Sequence, residues 1–194
     1  MKSRTINFPL ALSLGIMALI LCGASIFLPW WRLHNNRVGT TWSILLILMR
    51  KTNPSYSLEY IWSILDLGLR NTLLNALVLV IAGLIFNLIS FKLRGLNIRV
   101  ILLQRRVRLS LPAFFHLLSG LGSFSAYLLF RMGLPSYLES VGQSFSGSKG
   151  VLQWGLGMGA NLALAGGIMV FIGGILYLLK AETLGLEIII ETEE

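Results

Sequence analysis

Two histidines, one cysteine and eight carboxylates are the side chains from which a metal site, a proton path or thiol chemistry could be assembled. His116 stands inside a long uncharged stretch, where an ionisable residue marks a proton relay or ligand site by default. The same imidazole can instead bond a serine hydroxyl or a carbonyl of a neighbouring helix, and the lack of any carboxylate in such stretches favours that packing role. His34, Glu59 and Asp66 could hold a divalent cation, but their spacing matches no metal motif. Cys22 is alone, which excludes an internal disulfide and a thiolate metal cluster. There is no Gly-rich phosphate loop, nucleophile elbow, paired carboxylate or haem-type histidine pair. Neither catalysis nor a cofactor is therefore expected.

Four stretches without formal charge must position these residues. They run between Arg4 and Arg32, Arg70 and Lys92, Arg108 and Arg131, and Lys149 and Lys180. A cation at the centre of a span costs roughly 2.5–3.5 kcal/mol, so such runs are the signature of membrane crossing. Backbone groups in lipid must be satisfied within the segment, and no alternating pattern is present, so the spans are helices and not barrel strands. The predicted fold class is an all-α membrane protein, a four-transmembrane-helix bundle with a small extracytoplasmic β-sheet or hairpin in loop one. It forms a single integral membrane domain with spans at about 8–30, 71–91, 109–130 and 151–179. With 55% hydrophobic and 12% charged residues, no separate soluble domain fits. The net charge of +8 is concentrated beside the spans, which reads as topology and headgroup contact, not nucleic-acid binding.

The inner loop, 92–108, carries Lys92, Arg94, Arg99, Arg105, Arg106 and Arg108 without an acid. With Lys2 and Arg4 it predicts a cell-membrane protein whose termini are both cytoplasmic. Arg99, Arg105, Arg106 and Arg108 are the candidate headgroup contacts. The five tryptophans, Trp30, Trp31, Trp42, Trp62 and Trp154, then share the outer side and suggest an interfacial belt. In outer loop one, 31–70, Thr40–Met49 reads as a strand after an Asn-Asn turn signal, which predicts a hairpin. Leu58, Ile61, Trp62, Leu65 and Leu69 repeat at helical spacing and predict an amphipathic helix into span two. Outer loop three, 131–150, is Ser-Gly-rich and is expected to be mobile or ordered by a partner. Span four, read from Gly150 to Leu179, is longer than a bilayer core and is expected to tilt or to protrude, and protrusion on the outer side would support loop one. The acidic end, Glu182 to Glu194, could meet the basic inner loop or remain solvated.

Each span has a seam of small or polar residues, which lets helix backbones approach in lipid. These are Ala11, Gly15, Ala18, Cys22 and Ser25; Ala76, Gly83 and Asn87; His116, Ser119, Ser123 and Ala126; and Gly155, Gly159, Gly166 and Gly173. The expectation is a closely packed bundle with little volume for a conduit.

The arrangement resembles the claudin and peripheral-myelin-protein tetraspan superfamily. Leu28 to Leu33 (LPWWRL) places Trp31 on that family's first loop tryptophan, and Arg70 falls on its arginine before span two. The chain departs from the pattern at Ser43-Ile44-Leu45-Leu46, where the family has a Gly-Leu-Trp triplet, and lacks the paired loop cysteines. The resemblance implies a four-helix bundle under an outer sheet that engages other proteins.

The expected role is a non-catalytic membrane interaction protein, associating with itself or with a larger membrane-protein complex and with membrane lipids. Because Trp42 to Met49 is an apolar run outside the spans, it needs a cover. Trp31, Trp42, Leu46, Leu48 and Trp62 are the candidate partner contacts. An accessory subunit of a respiratory or transport assembly is the alternative, and a channel or transporter is disfavoured by the packed seams.

Overall fold

The structure is a computed structural model that describes residues 2–37, 39–46, 48–52, 57–60, 67–93, 97–102, 105–140, 146–179 and 185–192. Most of the described chain is helical. Strand β1 (Lys2–Pro9) leads into α1 (Leu10–Phe27), followed by β2 (Trp31–Asn35), β3 (Thr40–Ile44), β4 (Leu48–Thr52) and β5 (Ser57–Tyr60). Helix α2 (Leu67–Lys92) is joined through β6 (Asn97–Leu102) and β7 (Arg105–Ser110) to α3 (Leu111–Ser140). Then come β8 (Gly147–Lys149), β9 (Leu152–Leu156), α4 (Met158–Leu178) and β10 (Gly185–Thr192).

All four helices are long and apolar enough to cross a membrane. Their outward sides carry Ile20, Val78, Leu88, Phe114, Ile168 and other large apolar residues. Helix α2 packs on α3, α3 on α4 and α4 on α1, while α1 meets α2 over a shorter stretch. In α1 the buried residues are Ala11, Gly15, Ala18, Cys22 and Ser25. Opposite them stand Gly159, Gly166 and Gly173 of α4, spaced like Ala11, Ala18 and Ser25 at seven-residue intervals. That shared period keeps one small face against the other along the whole crossing. A Cβ on Gly166 would lie 2.5 Å from Cys22 Sγ, and one on Gly173 would lie 3.3 Å from the Ala11 carbonyl.

The sheet at one end of the bundle has six antiparallel strands in the order β5-β4-β3-β2-β9-β8. It is larger than the hairpin predicted for loop one, because β8 and β9 come from the segment before α4. Gly39 (φ 67) and Gly150 (φ 59) occupy the left-handed region at the two hairpin tips, where a side chain would be strained. The Asn36 amide donates to the Val151 carbonyl at 2.7 Å and ties one tip to the other.

Several boundaries correct the sequence reading. Span four begins at Met158, not near 151, so Gly155 is a strand residue opposite Arg32 and not a helix-packing residue. Leu152, Trp154 and Leu156 alternate with Gln153 and Gly155, which is the two-residue period of a strand. The expected helical protrusion is thus a strand that joins the sheet. Ser57–Tyr60 is a strand as well, in place of the first turn of the predicted amphipathic helix, because pairing with β4 outweighs the local helical spacing. Trp62 and Asp66 lie outside the described residues. Helix α3 continues to Ser140, and Gly147–Lys149 is ordered as β8, so loop three is shorter and more structured than expected. The single strand read over Thr40–Met49 is two strands, β3 and β4, with Leu45 and Leu46 between them.

At the opposite end, β6 and β7 form a two-stranded hairpin. Strands β1 and β10 pair there from Lys2↔Thr192 to Pro9↔Gly185. Of the acidic end, Gly185–Thr192 therefore runs beside the N-terminal strand.

Candidate functional site: the sheet cap and a buried polar cluster

The cap is fastened to the helices at Trp30. This residue is fully buried, not part of an interfacial belt. Its indole Nε1 donates to the Ser25 carbonyl at 2.8 Å, its amide donates to the Ile44 carbonyl at 2.8 Å, and its carbonyl accepts from Gly157 N at 2.8 Å. The Gly159 amide donates to the Pro29 carbonyl at 2.7 Å. Such proximity requires glycine: a Cβ on Gly157 would lie 2.1 Å from the Pro29 oxygen and one on Gly159 would lie 2.5 Å from the Leu28 oxygen.

Sheet register then sorts the cap residues by distance from the bundle. Trp31, Ile44 and Leu156 form one cross-strand row, and Leu33, Trp42 and Trp154 form the next on the same face. In the first row Trp31 and Ile44 are buried, whereas every member of the second is half-buried. Leu46 is 1% exposed and belongs to the same apolar cluster as Trp30, Leu73 and Phe130. Ser43, Ile44, Leu45 and Leu46, the middle of the apolar run, are thus covered within the chain itself. This corrects the sequence expectation for Trp31 and Leu46, neither of which is presented to a partner. Trp42 remains partly accessible. Leu48 pairs with Tyr60 in the β4–β5 register, and Trp62 is outside the described residues.

On the other sheet face His34 Nδ1 lies 2.7 Å from Thr41 Oγ1, a neighbour across the strands. Among the described residues no three His, Cys, Asp or Glu side chains come together as a metal site.

A second concentration of polar groups lies toward the other end of the helices, and all four contribute to it. His116 on α3 is fully buried, hydrogen-bonded through Nδ1 with Ser90 Oγ of α2 and 3.1 Å from the Pro112 carbonyl. Its ring meets Tyr177 of α4 and Phe91 of α2 edge-on, at centroid separations of 5.1 and 5.8 Å. Asn87 Nδ2 donates to the Gly15 carbonyl of α1 at 2.9 Å. A Cβ on Gly15 would lie 2.8 Å from His116 Nε2, and one on Gly173 would lie 3.2 Å from His116 Cδ2. His116 Nε2 and Asn87 Oδ1 are buried without a protein partner.

The predicted packing residues therefore divide. Gly15, His116 and Ser119 are buried in helix contacts, as are Gly83, whose Cβ would meet the Ser119 carbonyl at 3.0 Å, and Gly159 and Gly166. Sequence reasoning missed Trp30 as the anchor, and Ser90, Phe91 and Tyr177 as partners of His116. The only signal for the latter was that Ser90 and His116 stand at matching depths, the one near the end of α2 and the other near the start of α3. Arg99, Arg105, Arg106 and Arg108 all fall on the β6–β7 hairpin.

No family model matches the chain, and no curated protein is significantly similar to it. The arrangement of four spanning-length apolar helices fits a multi-pass membrane protein.

Proposed function

We propose that the four helices cross a bilayer and that the chain is a non-catalytic interaction protein, claudin-like in kind, which binds another protein through its sheet cap. The cap faces the extracytoplasmic side, and the termini and the β6–β7 hairpin lie in the cytoplasm. The observation that carries the reading is the Leu33–Trp42–Trp154 row, two tryptophans and a leucine that the chain leaves partly exposed. Half-covered tryptophans on a hydrogen-bonded sheet are stiff, amphipathic contact residues of the kind that anchor interfaces. The partner is a second copy or a larger membrane assembly.

Native mass measurement after mild extraction tests this. The wild type is expected to run as a self-oligomer or in a complex of fixed stoichiometry, and Trp42→Ala to dissociate it while the helices remain folded. A wild-type monomer, or an assembly indifferent to Trp42, removes the proposal. Leu46 is unsuited to such a test, because substitution there strikes the buried core.

A further inference from the structure

We infer that the β6–β7 hairpin is an anionic-lipid clamp in which Arg99, Arg106 and Arg108 form one cationic face that takes headgroup phosphates at the membrane surface. The inference rests on the bilayer-spanning part of the proposed function and not on the cap.

Register carries the argument. Arg99 pairs directly with Arg108, and Ile101 with Arg106, so these positions share a face with Asn97 and Ser110. Ile98 pairs with Leu109 and Val100 with Val107 on the reverse face, with Leu102 and Arg105 at its turn end. The hairpin is amphipathic across its thickness, and Arg105 is separated from the other three arginines. Like charges directly opposite one another destabilise a strand pair, and the diagonal neighbour at about 7–8 Å adds to the repulsion. The hairpin itself carries no acidic residue, none standing between Asp66 and Glu139, and the acids that share this end, Glu187 and Glu191, lie on β10 in register with β1. A two-stranded hairpin is marginal alone in water, so this one needs both a counter-anion and a cover for its apolar side.

Placement supplies both from one source. Strand β7 ends at Ser110 and α3 begins at Leu111, so the hairpin is rooted where a span meets its boundary. Strand β7 also touches α4, which keeps the hairpin close to the bundle end. At that level of a bilayer lipid phosphates are the most concentrated anions. Three guanidinium-bearing positions within one cross-strand cell match a phosphate better than scattered cations do. An ordinary topology signal needs the charges but not their segregation onto one face.

The test uses the full chain reconstituted in nanodiscs of phosphatidylcholine alone or with phosphatidylglycerol, read by amide hydrogen exchange over residues 97–110. Anionic lipid should slow exchange in the hairpin, and 0.5 M salt should reverse the effect. Each nearby cation contributes about fivefold, so Arg99→Gln with Arg108→Gln should remove a preference of roughly 25-fold. That double variant keeps Lys92, Arg94, Arg105 and Arg106 as topology signals. Arg105→Gln is the matched control and should have a smaller effect. Inorganic phosphate added to phosphatidylcholine discs should not substitute for the lipid, and protection by free phosphate would overturn the lipid assignment. Equal exchange in the two lipid compositions, or a double variant that keeps the wild-type preference, would overturn the clamp. Failure of the chain to enter discs would instead defeat the spanning reading on which the clamp rests.

Discussion

Trp30 meets Phe130 edge to face, with ring centroids 5.2 Å apart and planes at 78°. The first turn out of α1 is thereby locked against the far part of α3, and the cap inherits its position from that contact. Trp30→Ala should cost about 3–5 kcal/mol in detergent unfolding, the usual range for deleting a buried aromatic. Near-UV circular dichroism should report the loss before helix content falls. Trp30→Phe keeps the ring contact but loses the bond to Ser25, and should cost less.

Gly157 and Gly155 form a matched pair. A Cβ on Gly157 would sit far inside van der Waals contact distance of the Pro29 oxygen, whereas on Gly155 it would touch only Ser146 at an ordinary 3.5 Å. Gly157→Ala should destabilise by about 3 kcal/mol and Gly155→Ala by less than about 0.5 kcal/mol, as thermal denaturation will show. Equal effects would contradict the placement of Gly155 in β9.

Gly166 and Cys22 should be energetically coupled. Gly166→Ala drives a methyl group toward Sγ and should cost about 1–3 kcal/mol. In a Cys22→Ala background the sulfur is gone, so the same change should be much milder. A double-mutant cycle with coupling near zero would refute the α1–α4 contact.

The Ser90–His116 hydrogen bond links α2 to α3 inside the apolar zone. A cycle using Ser90→Ala and His116→Phe should give a coupling of about 0.6 kcal/mol, the average for hydrogen bonds between membrane helices, and no more than about 1.7 kcal/mol. His116→Gln should leave assembly unchanged. An assembly defect without a loss of stability would instead indicate a functional imidazole.

The α1 seam was legible because small residues recur at 11, 15, 18, 22 and 25, and these are the buried positions of that helix. Seams of this kind depend on local spacing alone. The start of α4 was harder to read, since Leu152, Trp154 and Leu156 continue the apolar composition and only their alternation distinguishes strand from helix. At Ser57–Tyr60 the local spacing favoured a helix, and the strand there depends on β4, whose pairing no local pattern announces. Leu46 exposes the same limit in the candidate site. Its apolar character was plain, but whether a partner or the chain itself covers it depends on contacts with α2 and α3 that are distant in sequence.

The β2–β9 pairing joins α1 to α4 at the cap, and the β1–β10 pairing joins the same two helices at the other end. Helices α2 and α3 are connected by their own hairpin. The molecule therefore consists of two braced pairs, and a lengthwise slide of α1 past α4 would break hydrogen bonds at both extremities. A change of shape that kept every ladder intact would rock one pair against the other, and the α1–α2 side, which has the least contact, would open first.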